Sequence, residues 1–291
     1  MNGLVFDLDP VLLRLGPIQI RWYGAIFVTT LFFAYWVWRR QMLRGGYPAA
    51  LAGQFLMWGG VATIAGARLG HCLFYEPERY LNDPISILFF WQGGLASHGA
   101  TIGLVLALFL FARKNRLPVL ELMDRFAMSA AIGSAGIRLG NFLNSEIVGR
   151  ATSVPWAVRI MRYDHGAVAR HPSQLYEFVM GLIVLLILYL ADRRAGKEQR
   201  PVGLMTGLFL TIYFAGRFVV EFFKEFQTPW ESVLTTGQIL SILPFLAGIG
   251  LLTWVIRTRY RPRSTHQLPH GKPAKQTRRQ RRGPVSKGKQ R

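Results

Sequence analysis

The chain has 291 residues, 51% of them hydrophobic, and sets 35 Lys and Arg against 15 Asp and Glu for a formal net charge of +20. Apolar runs of about eighteen residues or more place it in a bilayer and exclude a soluble globular domain. A single cysteine, Cys72, excludes an intramolecular disulfide and a thiolate cluster for metal.

Taken in chain order, the apolar runs predict about seven transmembrane helices, over residues 20–38, 54–75, 95–112, 119–139, 174–191, 202–223 and 236–256. The first run follows a nearly neutral N-terminus and ends in Arg39-Arg40, so it is read as a retained span and not a cleaved signal. The fourth contains Glu121, Asp124, Arg125 and Arg138, which predicts a broken or re-entrant segment lining a cavity. Residues 76–94 are expected to carry a short interfacial helix, with Phe89, Phe90 and Trp91 at headgroup depth. Residues 140–173 form the longest connection before the tail, and long connections tend to be functional. The expected fold class is an all-α integral membrane protein.

Basic residues set the orientation. Arg39, Arg40 and Arg44, then Arg113, Lys114 and Arg116, then Arg193, Arg194, Lys197 and Arg200 all follow odd-numbered spans. The stretch from Arg257 to Arg291 adds more cations and no acid. By the positive-inside rule this face is cytoplasmic, which puts the N-terminus outside and the C-terminus inside. Residues 1–256 then form the membrane-embedded domain. Residues 257–291 form a disordered basic tail drawn to anionic membrane lipids, with RNA contact as the alternative for such a run.

The most informative segment runs from Gly136 to Arg150 and carries Arg138, Asn141, Asn144, Glu146 and Gly149 in an otherwise lipid-compatible chain. Charge at the bilayer centre costs about 2.5–3.5 kcal/mol even on lenient scales, so such groups face a protein interior or a wet cavity. Gly136-Ile137-Arg138-Leu139-Gly140 nearly repeats Gly66-Ala67-Arg68-Leu69-Gly70. Neither arginine has an acid three or four residues on, so an external anion is expected as the missing partner. A guanidinium fork matches phosphate oxygens, and a lipid phosphate is the natural ligand at this depth. The alternative is that the glycines pack helices and the arginines snorkel.

Three further groups stand out. Tyr213, Arg217 and Glu221 fall on one helical stripe, where Arg217 and Glu221 are either part of a site or a structural ion pair. His98 stands between Ser97 and Gly99, and histidine is the residue type suited to proton transfer; an interfacial histidine bonded to backbone is the alternative. Arg170-His171-Pro172-Ser173-Gln174-Leu175-Tyr176-Glu177 opens the fifth span, with Ser173 and Gln174 expected to cap it.

Together these blocks resemble the bacterial prolipoprotein diacylglyceryl transferases. The resemblance rests on Arg21-Trp22-Tyr23-Gly24, the two Gly-x-Arg-Leu-Gly stretches, Trp91-Gln92-Gly93-Gly94-Leu95 with Ser97-His98-Gly99, Gly136 to Arg150, Arg170 to Glu177, Gly207 through Tyr213, Arg217 and Glu221 to Phe223, and Gly237-Gln238-Ile239-Leu240-Ser241. They occur in the family's order and span roughly residues 10–256, leaving out the tail. Two departures exchange a glycine for another small residue: His98-Gly99-Ala100-Thr101 replaces His-Gly-Gly-Leu, and Asn144-Ser145-Glu146 replaces Asn-Gly-Glu.

The resemblance implies an inner-membrane enzyme that moves the diacylglyceryl group of phosphatidylglycerol to the lipobox cysteine of a prolipoprotein and releases glycerol phosphate. It implies no cofactor, no metal and no specific nucleic acid. The thiol must lose its proton and charge on the departing phosphate must be stabilised. On this reading His98 is the candidate base, with Tyr23 as orienting donor or relay. Arg138 and Arg217 clamp the phosphate. Arg68, Asn141, Asn144, Glu146, Gly149, Tyr213 and Glu221 orient them or bind the headgroup, in an outward-facing cavity open laterally to lipid. An organic-anion or lipid transporter would use the same arginines, as would a non-catalytic lipid-binding protein without need of His98.

Overall fold

The computed structural model of the chain describes residues 3–90, 93–226 and 233–258. Among the described residues the helices are α1 (Trp22–Arg44), α2 (Ala49–Phe74), α3 (Pro77–Asn82), α4 (Ser97–Lys114), α5 (Val119–Leu143), α6 (Met161–Asp164), α7 (Ser173–Arg194), α8 (Leu204–Glu221) and α9 (Thr236–Thr258). Helices α2, α7, α8 and α9 are long and apolar enough to cross a membrane by length and composition. Three of the long helices begin directly after a proline, Pro48, Pro118 or Pro172. A fixed φ and a missing N–H cost nothing at a helix start. Basic side chains fill the last turns of α1, α4, α7 and α9, where they complement the helix dipole.

The long helices pack in sequence: α4 on α2, α2 on α1, α1 on α5, α5 on α7, α7 on α8 and α8 on α9. Both Gly-x-Arg-Leu-Gly stretches are packing seams. Gly66 and Gly70 of α2 lie against Gly99 and Gly103 of α4, where any Cβ would collide with the facing backbone. Gly136 and Gly140 of α5 lie against Thr30 and the Tyr23 ring of α1. Small residues let the backbones approach closely, and the arginine between each pair is left on another face. Outward faces are apolar, as at Phe27, Val28, Phe32, Ile102, Val179 and Leu243, a distribution suited to lipid.

The expected break in the fourth segment is corrected: α5 is one continuous helix of 25 residues. Its charges are met by other elements. Arg125 reaches Glu121 at 2.8 Å and Glu198 at 2.7 Å, and Tyr47 donates to Glu121 at 3.0 Å. Asp124 accepts from the Gly203 and Thr206 amides at 2.7 and 2.8 Å, anchoring the start of α8. Arg44 grips Asp192 with both terminal nitrogens at 2.7 and 2.8 Å, and Arg200 reaches Asp192 at 2.6 Å. This network joins α1, α5, α7 and the turns at one end of the bundle, so Arg44 and Arg200 serve as ion-pair partners there.

At the other end short strands were not foreseen. β1 (Leu4–Phe6) pairs parallel with β4 (Val158–Ile160), which pairs antiparallel with β5 (Ala169–Arg170); β2 (Val11–Leu15) and β3 (Ile18–Arg21) form a hairpin ahead of α1. Runs of two to five residues are too short to show alternation. Val148, Val158 and Ile160 with Phe6 and Phe142 form a small core that fixes the 144–172 connection above the end of α5. The expected short helix in residues 76–94 is α3, followed by a 3-10 turn over Pro84–Leu88. Trp91, Gln92 and the tail from residue 259 lie outside the described residues.

Candidate active site

The capped end of the bundle gathers charge from four elements around one carboxylate. Glu177, in the first turns of α7, is buried, its side chain 1% exposed. Its Oε2 lies 3.0 Å from Arg138 Nε of α5 and 3.0 Å from Lys224 Nζ just beyond α8; its Oε1 lies 3.5 Å from Arg217 of α8. Glu221, one turn on from Arg217, lies 3.4 Å from that guanidinium and 2.7 Å from Lys224 Nζ. Tyr213, one turn back, lies beside Arg217. Thr235 donates its hydroxyl to the second oxygen of Glu221, and Gly237 at the start of α9 leaves no room for a side chain against that carboxylate. Three cations thus face two carboxylates, and the cluster keeps one net positive charge.

The turn after α5 forms the adjoining wall. Glu146 accepts from Asn141 at 3.2 Å and from Asn144, and its amide bonds back to Asn141 O at 2.9 Å. Gln174 donates to Glu146 O at 2.7 Å, so it pins this turn to α7 and does not cap the helix as expected. Ser173 makes no capping bond either; its hydroxyl points to Ile147 O. The peptide carbonyls of 146 and 147 outcompete the helix end because the turn is folded over it. Ser145 and Ile147 stand at φ 60° and 53°, in the left-handed region that favours glycine. Gly149 has no space for a Cβ between His171 O and Phe223 O, so it acts as backbone, paired with Lys224. Tyr23 packs on Gly140, and its hydroxyl lies within the fields of Glu146 and Arg138. The Oδ1 of Asn141 is buried without a hydrogen-bond partner among the described residues, an acceptor ready for a ligand donor.

Two of the sequence-predicted residues fall in a separate group on α2 and α4. Arg68, 5% exposed, neither pairs with an anion nor snorkels: it donates to the carbonyls of Ser86, Ile87, Gly93 and Gly94 at 2.7, 2.9, 2.6 and 3.3 Å. Gly94, at φ 69°, lies so close to Arg68 and His71 that a side chain there would strike both. His98 is half-buried with its ring 5.8 Å from Tyr75 and 5.5 Å from Phe74, and Tyr75 stacks in turn on His71 at 5.5 Å. Among the described residues His98 makes no hydrogen bond, ion pair or ring contact with the Glu177 cluster.

Sequence reasoning left Arg138 without a counter-ion; the counter-ion is Glu177. It also passed over Lys224. Lys224 follows Glu221 at i+3 on the extended Tyr213 stripe, and that spacing was the available signal. Burial pushes the Lys224 pKa down, against the opposing pull of Glu177 and Glu221. Between α7 and α8 an apolar groove of about 520 Å³ is lined by Leu175, Tyr176, Val179, Met180, Ile212 and Gly216, of which Tyr176 and Gly216 are the chain neighbours of Glu177 and Arg217. A buried, net-positive cluster beside an apolar groove suits an amphiphile with an anionic head.

Comparison with known proteins agrees with this chemistry. The family described as Prolipoprotein diacylglyceryl transferase matches residues 10–254. The chain is 42% identical to a phosphatidylglycerol–prolipoprotein diacylglyceryl transferase of Tolumonas auensis over 86% of its length and 96% of that protein. Proteins of the same name from Porphyromonas gingivalis and Chromohalobacter salexigens are 40% and 39% identical, over 87% and 85% of this chain and 95% and 92% of theirs.

Proposed function

The chain belongs to the prolipoprotein diacylglyceryl transferase family, and we infer from that membership and from its charged cluster that it transfers the diacylglyceryl group of phosphatidylglycerol to a prolipoprotein. The observation that carries this reading at the level of residues is the buried set of Arg138, Arg217 and Lys224 against Glu177 and Glu221, one positive charge in excess.

In the proposed reaction the lipobox cysteine loses its proton and its sulfur attacks the glyceryl carbon that bears the phosphoester. The carbon–sulfur bond forms, the carbon–oxygen bond to phosphate breaks, and glycerol phosphate leaves with the electron pair. Arg138 and Arg217 bind the phosphate and meet the charge that builds on the leaving oxygen. Asn141, Asn144 and Glu146 hold the glycerol headgroup, and Tyr213 and Glu221 aim Arg217. Tyr23 orients or relays a proton beside Arg138, and His98 takes the thiol proton, approaching the reacting atoms with the bound substrates between the two groups. Arg68 acts at one remove, by holding the carbonyls of Ser86, Ile87, Gly93 and Gly94 ahead of α4, and Gly149 by placing Lys224.

The α7–α8 groove takes acyl chain and opens the site laterally to lipid. Seven spans over residues 1–256 set this site toward the outer face of the bacterial inner membrane, with the N-terminus periplasmic and the basic tail cytoplasmic, drawn to anionic lipids. An anion transporter would need unsatisfied cations toward the other end as well. There Arg44, Arg125 and Arg200 are matched by Glu121, Asp192 and Glu198, which favours chemistry at one face.

The test is to incubate purified protein with phosphatidylglycerol and a lipobox peptide containing cysteine and to read the peptide mass. A diacylglyceryl gain is expected. Folded protein that adds no mass across detergents and pH would sink the assignment.

A further inference from the structure

Lys224 is the one cation of the cluster that combines a close hydrogen bond to one carboxylate with a close contact to the other. Its ammonium donates to Glu221 at 2.7 Å and lies 3.0 Å from Glu177. Arg217 stands off from the same two groups at 3.4 and 3.5 Å, beyond the usual hydrogen-bond range, and the buried oxygens of Glu177 accept no well-formed hydrogen bond from Arg138, Arg217 or Lys224, so that only Lys224 hydrogen-bonds a carboxylate of the pair, that of Glu221. The backbone of Lys224 is fixed from behind. It pairs with Gly149, and Arg150 donates from Nε to its carbonyl at 2.7 Å. Lys224 is itself only 2% exposed, so it cannot meet a substrate without leaving both carboxylates.

We propose that Lys224 is a positioning residue for the anionic substrate: its ammonium occupies the carboxylates of Glu177 and Glu221, so that the guanidinium donors of Arg138 and Arg217 stay available to a headgroup phosphate. The proposal rests on the diacylglyceryl-transfer reading and deepens it. Without the ammonium, two guanidiniums face two carboxylates, the excess charge vanishes, and each arginine is drawn into a local ion pair. A lipid phosphate must then displace a carboxylate to bind.

A lysine in this role makes lipid binding sensitive to pH. The groups that face it are Glu177 on α7, Arg217 and Glu221 on α8, Arg138 on α5, and Arg150 at its carbonyl. Burial lowers the pKa of the ammonium, the carboxylates raise it and the arginines lower it. The charge is present below that pKa and is lost as pH rises through it, so the effect appears as a loss of lipid binding with rising pH.

The experiment measures initial transfer rates to the lipobox peptide against phosphatidylglycerol mole fraction and pH, for the wild type, Lys224→Met and Lys224→Arg. Lys224→Met is expected to raise the apparent KM for the lipid at least about tenfold with a smaller change in kcat. Lys224→Arg is expected to keep the lipid KM and to carry the alkaline fall of kcat/KM to higher pH, because a guanidinium holds its proton there. An active Lys224→Met protein with unchanged lipid KM overturns the proposal, as does a Lys224→Arg profile that coincides with the wild type. If Lys224→Met does not fold, the Lys224→Arg profile decides alone. A wild type that transfers nothing overturns the transferase reading and this proposal with it, whereas an active wild type with an unaffected Lys224→Met overturns the role of Lys224 only.

Discussion

Arg138 Nε lies 3.0 Å from Glu177 Oε2, joining the middle of the Gly136–Gly140 seam on α5 to the first turns of α7. The arginine is therefore aimed before substrate arrives, and the carboxylate that aims it is shared with Arg217 and Lys224.

Arg138→Ala should abolish transfer without preventing membrane insertion. Glu177 keeps Arg217 and Lys224 as partners in the variant, so no buried charge is stranded. The check is the peptide mass assay on membrane-inserted protein. Near-normal turnover would refute a role for Arg138 in binding the phosphate.

Glu177→Gln should lower kcat at least about tenfold while leaving the lipid KM unchanged or reduced. Three cations then face Glu221 alone, so an anion is still attracted, but Arg138 and Arg217 lose the group that orients them. Rates over a range of lipid mole fractions separate the two parameters, and a raised KM with intact kcat would contradict the orienting role.

His98→Ala should lose most activity at neutral pH. A free thiol ionises near pH 8.5, so rates measured across the alkaline range report whether the base alone is missing. Full activity at neutral pH would remove His98 from the mechanism.

Ser145→Gly should stabilise the protein by about 1 kcal/mol, because Ser145 adopts φ 60° and its hydroxyl is buried without a partner among the described residues. This is also the position at which the chain departs from the Asn-Gly-Glu of the resemblance, and the left-handed backbone accounts for a glycine there. Thermal unfolding in detergent is the measurement, and an unchanged or lowered midpoint would count against backbone strain at this turn.

Truncation after residue 256 should leave transfer largely intact, since the cluster, the Glu146 turn and the groove all lie before it. A well-folded truncation with no activity would show that the tail takes part in the reaction.

Much of this arrangement was legible before folding. Each of the seven long helices among the described residues covers most of an apolar run, and Tyr213, Arg217 and Glu221 lie together because a stripe at i, i+4 and i+8 needs only one helix. The Gly-x-Arg-Leu-Gly repeat was legible as a motif but not as two different environments. In one copy the arginine meets Glu177, in the other the carbonyls of Ser86, Ile87 and Gly93, and the shared Gly-x-Arg-Leu-Gly motif does not distinguish them. The fourth segment misled for the same reason, since Glu121, Asp124 and Arg125 find their partners in the turns at 47 and 198–206.

The sequence by itself determined that the chain is a bundle of membrane-compatible helices and which family it belongs to, because hydropathy, helical period and motif order are local properties of a chain. Tertiary structure alone decided that Glu177 and Lys224 complete the charged cluster, and that Arg68 and His98 stand apart from it on another pair of helices. Counter-ions on different helices are chosen by how the glycine seams let those helices pack, and no spacing along the chain encodes that choice.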